Sequence, residues 1–115
     1  MTDSFVETND ITIQPNDVNV PYKFSFYPCT TPISNDGAIP FATNITSHTV
    51  TAHTAEGFNA TSQLIANSLL DANSITVYLS YPAHGADTYH LTFIVTLDSA
   101  AIMEFDYNHV VAVNL

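Results

Sequence analysis

Apolar and polar residues alternate along most of the chain, which is the period of a β-strand with one buried face. In residues 88–97 the odd positions, from Tyr89 to Leu97, are all apolar or aromatic, while the even positions are mostly threonine or histidine. Such alternation predicts antiparallel strands with one side on a core and the other in water. The regular segments are residues 10–14, 20–27, 74–80, 88–97 and 103–113.

Three further segments have a less regular pattern. Residues 45–53 are rich in Thr, Ile and Val, but the apolar positions change parity between Ile45 and Val50, which predicts a β-bulge. Residues 57–62 form a weak strand, and residues 62–70 are compatible with one or two helical turns. The total is about seven short strands separated by turns, a pattern typical of an all-β sandwich or barrel.

The inward positions of these strands predict a single hydrophobic core. A strand shifted by one residue would turn its apolar side chains toward solvent, so the burial of each position tests the assigned register. The predicted core residues are Phe24, Phe26, Ile75, Val77, Leu79, Leu91, Phe93, Val95, Phe105 and Val111.

Two parts of the chain lack a strand period: residues 1–9 and a long loop at residues 28–44. We interpret residues 1–9 as an N-terminal docking arm and residues 10–115 as one domain, because long irregular loops are usually functional. Both parts carry apolar side chains that the core does not need and that an isolated domain would leave in water. The predicted docking residues are Phe5, Val6, Ile33, Ile39 and Phe41.

The charge of the chain is strongly one-sided. Its 115 residues include 11 acidic residues and one basic residue, Lys23, which gives a formal net charge of −10. A protein that binds nucleic acid needs cations to displace the counterions of the phosphates. The composition therefore excludes a nucleic-acid surface, disfavours an anionic membrane as a partner, and leaves surface carboxylates almost without ion-pair partners.

Cysteine content and the first residues of the chain bear on the compartment. Cys29 is the single cysteine, so no intrachain disulfide can form. Residues 1–7 have neither the basic nor the apolar region of a secretion signal, and no apolar run reaches the roughly 18 residues of a membrane helix. We therefore expect the chain to fold in a reducing cytoplasm.

No residue pattern predicts a catalytic, cofactor or metal site. The five histidines lack the spacing of a zinc motif, and residues 16–19 lack the glycine and glutamate of a calcium loop. Cys29 has no local partner that would indicate a nucleophile. Glu104 and Asp106 share one strand face and could serve glycosidic chemistry, but a solvated face is the simpler interpretation. We expect the protein not to be an enzyme.

The order of several short segments resembles a group of small immunoglobulin-like structural proteins of tailed bacteriophages. The segments are VPYKFSF (residues 20–26), ITSHTVTA (45–52), GFNATS (57–62), ITVYLS (75–80) and ADTYHLTFIVT (86–96), with a closing strand near residues 109–113. Residues 63–70 look like an insertion in that pattern. The resemblance implies an immunoglobulin-like antiparallel β-sandwich of about seven strands.

The segment DTYHL (residues 87–91) resembles a tyrosine corner. In that motif a tyrosine near the start of a strand bonds back to the backbone and precedes a core position by two residues. The resemblance gives Tyr89 this structural role and gives Leu91 the core position. The alternative is that Tyr89 is only an inward-facing aromatic residue.

The resemblance also implies a function. The protein would be a capsid decoration (cement) protein on the outer surface of a tailed-phage head, made in the host cytoplasm and stabilising the shell by adhesion. Its partner would be the major capsid protein, with contacts between its own copies as an addition. The first alternative is an accessory domain bound to a tail or baseplate protein. The second is a small glycan-binding domain in which Tyr78, Tyr81 and Tyr107 stack on sugars beside Glu104 and Asp106.

Overall fold

Seven strands and one helical turn make up the regular structure of residues 11–114, the part of the chain that the computed structural model describes. Within that part, no helix is long and apolar enough to cross a membrane. The predicted docking arm at residues 1–9, with Phe5 and Val6, lies outside the described residues. In chain order the elements are β1 (Ile11–Ile13), β2 (Val20–Ser25), β3 (Ile45–Thr54), α1 (Thr61–Leu64), β4 (Ile65–Asp71), β5 (Ser74–Leu79), β6 (Asp87–Leu97) and β7 (Ile102–Ala112).

The strands form two sheets, with the order β1-β7-β6-β3 in one and β2-β5-β4 in the other. An immunoglobulin domain places its second, fifth and fourth strands in one sheet and its third, sixth and seventh in the other, which is the division seen here. All strand pairs are antiparallel except β1 with β7, which is parallel. The predicted all-β, immunoglobulin-like sandwich is therefore confirmed, with one parallel edge pair added.

The core lies between the two sheets and contains every residue predicted for it except Val111. The alternating positions of β5 and β6 are fully buried, as their period of two requires. In β2, Phe24 is fully buried, while Val20 and Tyr22 are partly exposed. The core cluster also includes residues that were not predicted for it, namely Ile11, Ile13, Ala38, Ile39, Ile45, Val50, Ala52, Ala60, Leu64, Tyr89, Leu97, Tyr107, Val110 and Ala112.

Val111 was the one wrong assignment in the predicted core. Leu91 of β6 faces Tyr107 of β7, but Tyr89 faces Val110, so two residues of β6 span three residues of β7. This bulge shifts the parity of β7 by one position. Val110 is consequently buried, and Val111 lies partly exposed on the outer face.

The predicted bulge in β3 is confirmed. Ile45 faces Leu97, whereas Ser47 faces Thr96, so one extra residue of β3 is accommodated at this point. The extra residue allows Ile45 and Val50 to face the same core although their positions differ in parity.

The segment after β3 differs from its prediction. Residues 57–62 form no strand; Asn59 makes an isolated bridge to His53, and the chain then enters α1. The predicted helical region is a single turn that gives way to the edge strand β4, so residues 65–70 of the segment interpreted as an insertion belong to a strand of the sandwich.

The pattern of β4 explains why the sequence did not identify it. The large apolar residues at and just before this strand come as adjacent pairs, Leu64–Ile65 and Leu69–Leu70, which have no period of two. Pairing with β5 decides the orientation, and this pairing includes a bulge between Ile65 and Asn67. Leu70 packs partly against the core, while Leu69 stays half exposed.

Tyr89 ties β6 to the connection that precedes it. Its side chain is buried, and its hydroxyl donates a hydrogen bond to the backbone carbonyl of Gly85 at 2.7 Å. Burial raises the pKa of Tyr89 to about 12, with smaller contributions from Asp87 and Tyr81. Leu91, two residues later, is fully buried. This is the backbone bond and spacing that the resemblance implied for a tyrosine corner.

A side-chain contact closes one side of the sandwich. His48 of β3 and Ser68 of β4 lie on edge strands of different sheets, and the His48 Nε2 atom is 2.9 Å from the Ser68 Oγ atom. Burial lowers the pKa of His48. The folded protein thus favours the neutral imidazole of His48. The free energy of unfolding is therefore unaffected by the titration of this group above the ordinary histidine pKa of about 6.5, and it declines as the pH falls below that value.

The bulge in β7 predicts opposite outcomes for two adjacent valines. Val110→Thr places a hydroxyl in the core, and we expect it to reduce the free energy of unfolding by about 1–3 kcal/mol. Val111→Thr, its matched control, keeps the hydroxyl near solvent and should stay within about 0.5 kcal/mol of the wild type. Urea unfolding followed by circular dichroism measures both, and a larger loss for Val111→Thr would contradict the assigned register.

Candidate docking surface

Three loops meet at one end of the sandwich, which we call the loop end: residues 26–44, 72–73 and 98–101. Asn44, Asn73 and Asp98 join them. The Ile45 N–H donates to Asn73 Oδ1 at 2.9 Å, and Asn73 Nδ2 donates to Asn44 Oδ1 at 3.1 Å. The Asn44 N–H donates to Asp98 Oδ1 at 3.2 Å, while the Asp98 N–H donates to the Asn44 carbonyl at 2.9 Å. These bonds fix the three loops relative to one another.

The base of the long loop belongs to the core. The Ala38 N–H donates to the Tyr27 carbonyl at 2.7 Å, and the Cys29 N–H donates to the Ile39 carbonyl at 2.9 Å. Ala38 and Ile39 are fully buried, and Cys29 is nearly so. The prediction that Ile39 is a docking residue is therefore wrong, because this backbone pairing turns its side chain into the core.

Gly37 allows the two halves of the loop base to approach closely. A Cβ atom at this position would lie 2.5 Å from the carbonyl oxygen of Tyr27 and at the same distance from backbone atoms of Pro28 and Cys29. No side chain can occupy that space without displacing backbone. Glycine is required at position 37 because the backbone of residues 27–29 lies too close for a Cβ atom, and not because of its φ angle.

Asp36 stiffens the outer part of the loop. Its carboxylate accepts hydrogen bonds from Thr30 Oγ1 at 2.6 Å, from the Thr30 N–H at 3.0 Å and from Ser34 Oγ at 2.8 Å. These bonds, those from Thr30 first, lower the pKa of Asp36 to about 2. Because the carboxylate stays ionised above that value, the loop keeps these contacts at neutral pH and loses them only in strong acid.

The stiffened loop presents apolar side chains to solvent. Ile33 lies in the turn closed by Thr31 and Ser34 and is 96% exposed. Tyr27 is 56% exposed and Phe41 44%. The predicted docking residues Ile33 and Phe41 are thus both accessible at the loop end. Tyr27 was not predicted; its outward position in the alternation of residues 20–27 was the available signal.

The loop end exposes apolar side chains together with hydroxyl, amide and carboxylate groups. Among residues 11–114, no three His, Cys, Asp or Glu side chains come together in a way that could hold a metal ion. Cys29 is a free thiol, but only 6% of it is exposed. Hydrophobic contact and hydrogen bonds from Thr, Ser and Asn are what this surface can offer a partner.

The sugar-stacking surface considered from the sequence does not assemble. Tyr107 lies in the core, whereas Tyr78 lies half exposed on the outer face of the β2-β5-β4 sheet. Glu104 and Asp106 lie on the outer face of the other sheet, where Thr92 Oγ1 donates to Asp106 Oδ1 at 3.0 Å. The three tyrosines and two carboxylates therefore cannot act on one ligand.

A shallow groove does exist around Tyr78. It has a volume of about 360 Å³ and is lined by Asn19, Ala66, Asn67, Leu69 and Tyr78. Asn67 faces Tyr78 across the β4–β5 pair, next to the bulge of β4. Asn67 Oδ1 accepts a bond from the Ser68 N–H at 2.9 Å, and within the described residues neither its Nδ2 group nor the Tyr78 hydroxyl has a partner. The groove thus combines an aromatic ring with unused amide hydrogen-bonding groups.

Comparison with known proteins adds no family to this description. No protein-family model matches the chain, and no curated protein sequence is significantly similar to it. Function must therefore be inferred from the surfaces of the molecule and from the resemblance of its short segments.

The close approach at Gly37 predicts a large effect of adding one methyl group. Gly37→Ala should separate the halves of the loop base and reduce the free energy of unfolding by about 1–3 kcal/mol or more. The neighbouring Asn35→Ala, at an exposed position, should change it by less than about 0.5 kcal/mol. Equal stability of the two variants in urea unfolding would show that the loop base is not packed as described.

Proposed function

We propose that this protein is an adhesion module that binds a larger protein assembly through its loop end. The observation that carries the proposal is Ile33, a large apolar side chain that is 96% exposed on a turn held by its own hydrogen bonds. A single exposed apolar residue is common. Here Tyr27 and Phe41 on the same loop are also exposed, so an apolar contact surface is available.

Stiffness of the loop supports a binding role. A flexible loop loses conformational entropy when it is captured, which weakens binding, whereas a preorganised loop loses less. The bonds to Asp36 order the tip, and the Asn44–Asn73–Asp98 bonds hold the loop against its neighbours. The apolar side chains of the loop are therefore presented in a fixed geometry before any partner arrives.

We further propose that the assembly is the head of a tailed phage and that the protein decorates its outer surface. The resemblance of the strand segments to phage structural proteins supplies this part of the proposal. The charge supports the outer surface, since a chain with net charge −10 and one lysine is repelled by packaged DNA on the inside. The partner is then the major capsid protein, with neighbouring copies of the decoration protein as a second contact.

A tail or baseplate site is the alternative within the same class. Both locations would use the same loop end, so the docking chemistry does not separate them. Copy number does: quantitative mass spectrometry of purified virions should find many copies per particle for a head decoration protein and few for a tail component.

Docking through Ile33 predicts a selective loss of binding. Burying an isoleucine contributes about 1.5–3 kcal/mol, so Ile33→Ser should weaken binding to particles that lack the protein by roughly ten- to a hundred-fold. Ile94→Ser, an exposed isoleucine on a sheet face, is the matched control and should bind normally. Because the contact is apolar, the wild-type affinity should change little with salt.

Binding is measured by sedimentation of labelled protein with the particles, after circular dichroism has shown that each variant is folded. A variant lacking residues 1–9 tests the predicted arm separately. If Ile33→Ser binds the particles with wild-type affinity, the loop tip is not part of the interface. If Ile33→Ser and Ile94→Ser lose affinity equally, the effect is not specific to the loop end.

The groove at Tyr78 favours a second candidate function, the binding of a neutral glycan. Aromatic rings stack on the apolar face of a sugar, and amide groups bond to its hydroxyls, which are the groups this groove provides. A neutral glycan needs no cationic side chain for binding, which fits a chain with one basic residue. This function could accompany docking, because the groove lies on a sheet face and not at the loop end.

Glycan binding predicts a difference between two substitutions at one position. Tyr78→Ala removes the ring and should abolish binding on a glycan array, whereas Tyr78→Phe keeps the ring and should retain most of it. Tyr27→Ala, another exposed tyrosine, should have no effect. Absence of any bound glycan, or unchanged binding by Tyr78→Ala, would exclude the groove as a sugar site.

A further inference from the structure

Two histidines face each other across neighbouring strands on the outer face of the larger sheet. His53 of β3 and His90 of β6 are direct partners in the antiparallel register. Each is flanked in sequence by buried residues, so both imidazoles point away from the core, and both are partly exposed. The two positions are 37 residues apart in the chain, and only strand pairing brings them together.

The backbone at this pair is held on both sides. The pairs next to it, Ala52 with Leu91 and Thr54 with Tyr89, consist of buried residues. Thr61 Oγ1 accepts a bond from the Ala52 N–H at 2.9 Å and thereby fixes β3 from its free edge. Directly opposed residues of an antiparallel pair have Cβ atoms about 4.5–5.5 Å apart. Two imidazoles at that separation can turn one nitrogen each toward a common ion.

Within the described part of the chain, the rings of His53 and His90 make no polar contact, unlike the rings of His48 and His84. His48 bonds to Ser68, and His84 pairs with Asp87 at 3.3 Å while stacking on Phe58. Within residues 11–114, no hydrogen bond or ion pair engages the ring of His53 or His90. No hydrogen bond or ion pair inside the described fold therefore requires a histidine at either position.

We propose that His53 and His90 form a two-imidazole binding site for a divalent first-row transition metal such as Zn²⁺, Ni²⁺ or Cu²⁺. Imidazole nitrogen binds these ions at about 2.0–2.1 Å in the case of zinc, whereas Mg²⁺ and Ca²⁺ prefer oxygen ligands. Water completes the coordination, in keeping with the absence of a group of three protein ligands in the described part of the chain. The site is independent of the proposed docking and glycan functions.

The charge around the site favours a cation. The net charge of the chain is −10, and Asp106 lies on the same outer face, opposite Thr92, which is two residues from His90. Such a field raises the local concentration of cations. A bound ion would link the edge strand β3 to β6 and stabilise the folded state in proportion to its occupancy.

The test uses untagged protein and the metal ions alone. Isothermal titration with Ni²⁺ or Zn²⁺ gives the affinity, and the imidazole signals in NMR spectra identify the ligands. We expect shifts confined to His53 and His90, and an affinity that falls about ten-fold or more in His53→Gln and in His90→Gln, because each leaves one ligand. Affinity should also fall from pH 7.5 to pH 5.5, since binding requires neutral imidazole.

Two controls make the result specific to this pair. His84→Gln, an exposed histidine that pairs with Asp87 in the connection before β6, should bind metal as the wild type does, and Mg²⁺ should cause no shift in any histidine signal. Nickel should raise the melting temperature of the wild type but not that of His90→Gln. Equal affinities of the wild type, His53→Gln and His90→Gln, or a loss caused by His84→Gln alone, would overturn the proposal.

Discussion

Contact between aromatic rings of the two sheets is the interaction on which the rest of the structure depends. Phe93 of β6 lies with its ring centroid 4.9 Å from that of Phe24 and 5.5 Å from that of Phe26. Phe26 also contacts Phe105 at 5.0 Å, and Phe24 contacts Tyr107 at 5.3 Å. Immunoglobulin domains of antibodies hold the same two sheets with a disulfide and a tryptophan. This chain has one cysteine and no tryptophan, so the rings must supply the inter-sheet contact.

The same contact positions the loop end. Phe26 is the last core residue of its strand segment, and its N–H donates to the Asn73 carbonyl at 2.8 Å. The chain leaves the core there and enters the long loop, whose base returns to the core through Ala38 and Ile39. The exposed side chain of Ile33 is thus carried by a loop whose base is hydrogen-bonded and packed into the core.

Scarcity of cations shapes how the polar parts are stabilised. Within the described residues, the pair that meets ion-pair distance is His84 with Asp87, at 3.3 Å. The remaining polar contacts involve hydroxyl, amide and backbone groups, as at Asp36 and Asn44. Such contacts are little affected by salt, unlike exposed ion pairs. A surface of this kind is consistent with the proposed attachment through shape and apolar area, and the proposed glycan and metal sites lie on outward sheet faces.

Local alternation was sufficient to predict the strands that have one face in the core. Phe24, Val77 and Leu91 were assigned correctly because a period of two follows directly from the pleat of a strand. The parity change in β3 was visible for the same reason. The exposed loop residues Ile33 and Phe41 could be identified because they stand outside any such period.

Tertiary structure decided the positions whose environment depends on a distant part of the chain. Val110, and not Val111, lies in the core because the pairing of β7 with β6 contains a bulge. Ile39 is buried because the loop base forms backbone hydrogen bonds with Tyr27 and Cys29. β4 became a strand only through β5, since its own pattern has no period of two. The pairing of His53 with His90 depends on the register between β3 and β6. The apolar pattern of one strand fixes which of its residues face the core, but not which residues of a distant strand lie opposite them.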